Sequence, residues 1–162
     1  MKNLVIILMT TTLFAFSQNT SKNTNSTNIK NTETMEKLAK QEIENLLMAY
    51  METLNTSNAE KATSLYTKDG AFMPSGAPTA IGTENIKRAY DFVFSQIQLN
   101  LEFYIEEITI ENTMAYAVTS SKGSTLIHAN GETIPEENRE LFVFEKENDT
   151  WKIARYMFNK TK

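Results

Sequence analysis

The chain has 162 residues, 16 Lys and Arg against 20 Asp and Glu for a formal net charge of -4, and no cysteine. That length suits one domain with a sizeable core and not comfortably two. The basic residues are scattered, which excludes the cationic stripe a nucleic-acid partner needs, and the absence of cysteine excludes a disulfide framework, a thiolate nucleophile and a cysteine metal site.

Met1-Lys2-Asn3 and the apolar run Leu4 to Phe16 are followed by Ala15-Phe16-Ser17, the small-residue spacing of a signal peptidase site. Residues 1–17 are therefore expected to be a cleaved signal peptide, with Gln18 the first mature residue. The run is too short to span a bilayer, which needs roughly 20 apolar residues. With no lipid-acceptor cysteine after it, the expected product is a periplasmic or secreted protein that leaves the membrane on cleavage. Residues 18–34 are Asn, Thr, Ser and Lys almost throughout; too little apolar surface is present to offset ordering, so a disordered tether is expected. The folded domain is expected over 35–162.

From Met35 the apolar residues recur at helical steps through Leu38, Ile43, Leu47, Tyr50 and Leu54, with Thr34 as a plausible cap. A short second helix fits Ala59 to Tyr66, capped by Asn58 and left through a Lys68-Asp69-Gly70 turn. Ala71-Phe72-Met73 reads as a short strand and Pro74 to Pro78 as a loop. Thr83 is expected to cap a third helix with Ile86, Tyr90, Val93, Phe94 and Ile97 on one face.

The period then changes from about 3.6 to 2. Leu101, Phe103 and Ile105 alternate with polar residues, but after Glu106-Glu107 the apolar set resumes at Ile108 and Ile110. Such a parity slip predicts a β-bulge, which bends a sheet. Met114 to Ala129 reads as a strand interrupted near Ser120 to Gly123. Pro135-Glu136-Glu137 reads as a connection, Asn138 to Glu147 and Thr150 to Asn159 as the last strands. The fold class expected is α+β: three N-terminal helices packed on a strongly curved, antiparallel sheet with a mixed edge. Both parities of the last two strands are apolar, with Leu141 and Val143 on one and Phe142 and Phe144 on the other. One face should lie under the helices and the other against a second subunit, so a homodimer through the sheet is expected.

This order of elements resembles the cone-shaped, cystatin-like α+β barrel of the nuclear transport factor 2-like, ketosteroid isomerase-like superfamily. Ala49-Tyr50 to Asn58, Ala62 to Tyr66 and Asp69-Gly70-Ala71-Phe72-Met73-Pro74 are similar to the first half of SnoaL-like domains. Gly82-Thr83-Glu84-Asn85-Ile86 is similar to their third helix and Trp151 to Arg155 to their final strand. Met73 to Pro78, Asn138 to Val143 and Ala154 to Lys160 most resemble the SgcJ/EcaC branch. The resemblance covers about residues 40–160. It implies a pocket for a small, largely apolar molecule on a scaffold that hosts isomerases, dehydratases, cofactor-independent oxidoreductases and plain association modules.

The isomerase residues do not carry over. Asp69 and Asp149 sit in turns and Asp91 flanks the stripe of the third helix, while the single histidine, His128, lies near a strand end before Asn-Gly. Glu106 and Glu107 at the bulge are either solvated or re-aimed into the cone. Arg155, a charge in an apolar strand, must pair with a glutamate or serve a ligand; these three are the weak catalytic candidates. Tyr66, Phe72, Met73, Tyr90, Phe94 and Phe103, with Asn138 and Arg155, are the candidate pocket residues. No metal site, phosphate loop or nucleophile–base pair can be assembled, and no cofactor is expected.

Overall fold

The computed structural model describes the backbone of residues 21–161 and the side chains of residues 31–161. The expected signal peptide, and residues 18–20 of the expected tether, lie outside the described residues. Two compact units are separated, one ending at Thr34 and the other spanning Met35–Lys162. In the first, residues 21–34 are helical, as the start of helix α1 (Ser21–Asn55), where composition alone suggested coil. Everything below concerns the second unit.

α1 buries Ile43, Leu47, Tyr50 and Leu54, spaced by three and four residues so that they share one face. Helix α2 (Ala59–Ser64) begins at Asn58, whose side chain accepts a hydrogen bond from the Lys61 amide, satisfying one of the free N–H groups of the first turn. Strand β1 (Tyr66–Met73) and the two-residue β2 (Ala80–Ile81) lead into helix α3 (Thr83–Gln96), which buries Ile86, Tyr90 and Phe94. Strands β3 (Ile97–Glu111), β4 (Met114–Ile127), β5 (Thr133–Glu147) and β6 (Thr150–Lys160) complete the chain. The sheet order is β2-β1-β6-β5-β4-β3, antiparallel except for β1 with β6. This is the expected α+β fold, helices on a curved, mixed sheet.

The parity slip at Glu106-Glu107 is a bulge: Ile105 pairs with Thr119 and Glu107 with Val118, leaving Glu106 extra. Several boundaries differ from the sequence reading. Lys68-Asp69-Gly70 is not a turn before a strand but an irregularity inside β1, which already pairs with β6 at Tyr66. The cap of α3 is Gly82, at φ 78°, rather than Thr83; the chain turns there through a conformation that a side chain would strain. Ile97 is extended and opens β3 instead of closing α3. The polar stretch Ser120 to Gly123 does not interrupt β4, which pairs with β5 throughout. Gly123 is required there because a Cβ would lie 1.9 Å from the Asn100 carbonyl oxygen of β3. Finally, Pro135-Glu136-Glu137 belongs to β5, not to a connection. That shift extends the period-2 pattern of β5 and places Glu136, Asn138 and Glu140 on the same face as Phe142 and Phe144.

The aromatic core sits between α1, α3 and the concave face. Tyr50 makes edge contacts with Tyr66, Tyr90, Phe103, Phe142 and Tyr156, and the Phe142 and Tyr156 rings stack at 4.2 Å. Offset and edge arrangements of this kind contribute beyond area burial alone.

Candidate functional site

A cavity of about 510 Å³ opens between α3 and the concave face of the sheet, a size suited to a small organic molecule. Its walls differ in character. Apart from Arg88 of α3, the helix side and the near end of β3 are apolar, with Leu54, Ala89, Val93, Ile97, Leu99 and Leu101, and the Pro74 to Pro78 loop carries the apolar surface toward the mouth. Tyr50, Tyr90, Tyr156 and Phe72 close the aromatic end. The sheet side is polar: Glu136, Asn138 and Glu140 follow each other at alternate positions of β5, with Lys160 beside them on β6.

Each of the three β5 groups meets a hydroxyl on β4. Thr119 Oγ1 donates to Glu140, and the nearby Ser121 hydroxyl also stabilises its anion. Asn138 Nδ2 donates to Ser121 Oγ at 3.3 Å. Thr125 Oγ1 donates to Glu136 at 3.0 Å, and Lys160 Nζ bonds the same carboxylate oxygen at 2.9 Å. Glu140 is 5 % exposed. Burial pushes its carboxyl above the usual range, outweighing the two hydroxyl donors that stabilise the anion, and Glu106 adds a smaller push in the same direction. It is thus a carboxyl in the cavity wall with an enhanced hold on its proton.

At the aromatic end three phenols meet. Tyr50 Oη lies 2.6 Å from Tyr90 Oη, and Tyr66 Oη lies 2.8 Å from the same atom. Burial raises all three well above the ordinary tyrosine value, so they stay neutral. Two contacts among three hydroxyls use two protons and leave one for an acceptor outside the trio.

The sequence-derived pocket residues divide into three groups. Phe72, Tyr90 and Asn138 line the cavity. Tyr66, Phe94 and Phe103 are buried behind it: Tyr66 holds Tyr90, Phe94 stacks on Tyr90 at 5.6 Å, and Phe103 packs edge-on against Tyr50. Met73 and Arg155 belong to the other face, since Met73 pairs with Met157 and Arg155 precedes the inward Tyr156. Arg155 is exposed, and its Nη1 donates to the Ala154 and Asp69 carbonyls rather than to a glutamate or into the cone. Glu106 and Glu107 are exposed. Glu107 accepts from Tyr116 Oη at 2.5 Å and Thr109 Oγ1 at 3.0 Å on the convex face, which lowers its pKa. Among the described residues no group of three or more metal-ligating side chains converges.

The profile of the SnoaL-like domain matches residues 43–158. The chain belongs to the SnoaL-like domain family. Among solved structures, a ketosteroid isomerase-like protein from Erwinia carotovora atroseptica SCRI1043 is 27% identical. The match covers 74% of this chain and 94% of that one, with a TM-score of 0.71. A nuclear transport factor 2-like superfamily protein from Salmonella enterica subsp. enterica serovar Typhimurium str. LT2 is 17% identical over 78% of this chain and 93% of its own, at a TM-score of 0.70. A hexachlorocyclohexane dehydrochlorinase (LinA, type 2) is 13% identical over 79% and 89%, at 0.68. The last two are likenesses of fold. No curated protein matches the chain.

In this SnoaL-like domain the residues missed by the sequence reading are Glu140, Glu136 and the hydroxyl ladder of β4. The signal was present: the alternation that makes Phe142 and Phe144 inward runs back through Glu140 and Asn138 to Glu136. Treating Pro135 as the end of a connection cut it short.

Proposed function

We propose that this SnoaL-like domain binds a small, largely apolar ligand in its cone. The observation that carries the reading is the cavity of about 510 Å³ with one apolar wall and one buried, ordered polar wall. A pocket of merely vestigial kind would be filled by Phe and Met, and its polar wall would have no reason to persist against the cost of burying carboxylates. Thermal-shift titration with small apolar probes is expected to raise Tm saturably, by mass action on the folded state. Ala89→Trp, which fills the helix side of the cavity, is expected to abolish the shift. An equal shift in that variant would place binding elsewhere.

A second reading, proton transfer on the bound ligand, is favoured by Glu140. A carboxyl whose proton affinity is raised by burial, in the wall of an apolar pocket, is suited to take or give a proton. The spare phenolic proton of the tyrosine trio, when carried by Tyr50 or Tyr90 in the cavity wall, would stabilise a developing oxyanion. The name borne by the Erwinia relative, ketosteroid isomerase-like, supports this reading. Isomerisation of a β,γ-unsaturated ketone probe, followed by absorbance, is expected to fall roughly 10²-fold or more in Glu140→Gln. An unchanged rate leaves binding as the activity. Cofactor-independent redox chemistry, the alternative suggested by the SgcJ/EcaC-like segments Met73 to Pro78 and Asn138 to Val143, would use the same wall.

Two further elements belong to the proposal. The N-terminal segment supports export to the periplasm or beyond, for which sequencing of the mature protein should begin at Gln18. The convex face supports a homodimer: Val118, Leu141 and Met157 stand in register across β4, β5 and β6, with Leu141 and Met157 38% and 40% exposed. Light scattering should give twice the chain mass, and Leu141→Glu should give a monomer. A monomeric wild type would remove the dimer without touching the pocket.

A further inference from the structure

The polar wall leaves one acceptor over. Thr119 gives its hydroxyl proton to Glu140, and Thr125 gives its own to Glu136. Asn138 Nδ2 donates to Ser121 Oγ at 3.3 Å, so Oδ1 is the end left over. Asn138 is 5% exposed, and its Oδ1 has no hydrogen-bond partner. An acceptor buried in this way carries a desolvation penalty until something donates to it. Glu140, two residues along the same strand and about 6–7 Å away by strand geometry, has lone pairs beyond those used by its two hydroxyls. No cation pairs with it among the described ion pairs, whereas Glu136 has Lys160.

We infer that the sheet side of the cavity recognises its ligand through acceptors, Asn138 Oδ1 and the Glu140 carboxyl. The ligand is then an apolar molecule that carries a hydrogen-bond donor, a hydroxyl or N–H group, on one edge. An ether or bare hydrocarbon at that edge would leave Asn138 unsatisfied. The inference rests on the pocket reading above and adds the chemical class of what fills the pocket. Asn138 and Glu140 are its specificity determinants, whatever reaction follows.

The test is a calorimetric titration of the full chain with three probes of common shape: 2-naphthol, 2-methoxynaphthalene and naphthalene. The expected result is that 2-naphthol binds about tenfold or more tightly than the other two, the factor a satisfied buried acceptor gives. Asn138→Leu should bring 2-naphthol down to the level of naphthalene, while Glu107→Gln, on the convex face away from the cavity, should keep the preference. Equal affinity for all three probes in the wild type overturns the inference and leaves the pocket reading standing; this comparison requires no variant to fold. Retention of the full preference in Asn138→Leu also overturns it. Absence of binding by every probe overturns the pocket reading and this inference together.

Discussion

Glu140 and Glu107 are both glutamates of one curved sheet, each holding two hydroxyl donors, and they end with opposite proton affinities. Glu140, on the concave face, receives Thr119 and Ser121 and is pushed up; Glu107, on the convex face, receives Tyr116 and Thr109 and is drawn down. The donors do the same work in both places. What differs is water: on the convex side it remains, and on the concave side burial outweighs two hydrogen bonds. The chemistry of the cavity is therefore set by the curl of the sheet as much as by which residues it carries.

The comparison of faces can be broken most severely in β5. Phe142→Ala removes a fully buried ring stacked on Tyr156 and Phe144, and urea unfolding should register a loss of about 3–5 kcal/mol. Leu141→Ala, one residue earlier on the convex face, should cost under about 1 kcal/mol within a single subunit. Similar costs at both positions would mean that the two faces are not distinct environments. Next in size, Tyr90→Phe deletes the hydroxyl that both Tyr50 and Tyr66 reach, leaving buried phenols unpaired, and should cost about 1–3 kcal/mol. Tyr66→Phe should cost less, because Tyr50 and Tyr90 still bond each other.

The smallest effect is the sharpest in sign. Glu140 binds its proton more tightly folded than unfolded, so its contribution is full below the ordinary carboxylate range and is lost as pH rises through the elevated value. Glu107 is the reverse: its contribution is present above the ordinary range and is lost as pH falls through the depressed value. Unfolding midpoints between about pH 4 and 8 should thus lose their alkaline decline in Glu140→Gln. In Glu107→Gln they should lose part of their acid decline. A decline unaltered by the first substitution would mean that Glu140 is better solvated than its position implies.

The elements were legible in the sequence because each rests on periodicity: the stripe of α3, the capped α2, and the slip at Glu106 that is the bulge. The boundaries that failed share a cause. Lys68-Asp69-Gly70 and Pro135-Glu136-Glu137 are turn-forming residues that lie inside strands: the first forms the irregularity between the paired Tyr66 and Ala71 of β1, and in the second pairing with β4 overrides local preference. The candidate site suffered from the second of these errors, for the reading that began β5 at Asn138 hid Glu136 and shortened the alternation that turns Glu140 inward. Arg155 misled for a simpler reason: a charge flanked by apolar residues in sequence is ordinary on the outer face of a strand whose neighbours point in.

The parallel pairing of β1 with β6 joins Tyr66 to Ile153 and Met73 to Met157. β1 must wait for β6 before this ladder can form, so the closing loop spans about two-thirds of the domain. During translation Phe72 and Tyr90 have no sheet to shelter them, and a chain truncated ahead of Thr150 would leave both β1 and β5 with an open edge. The sheet thus closes only once β6 has been made, and its incomplete forms are the ones exposed to aggregation.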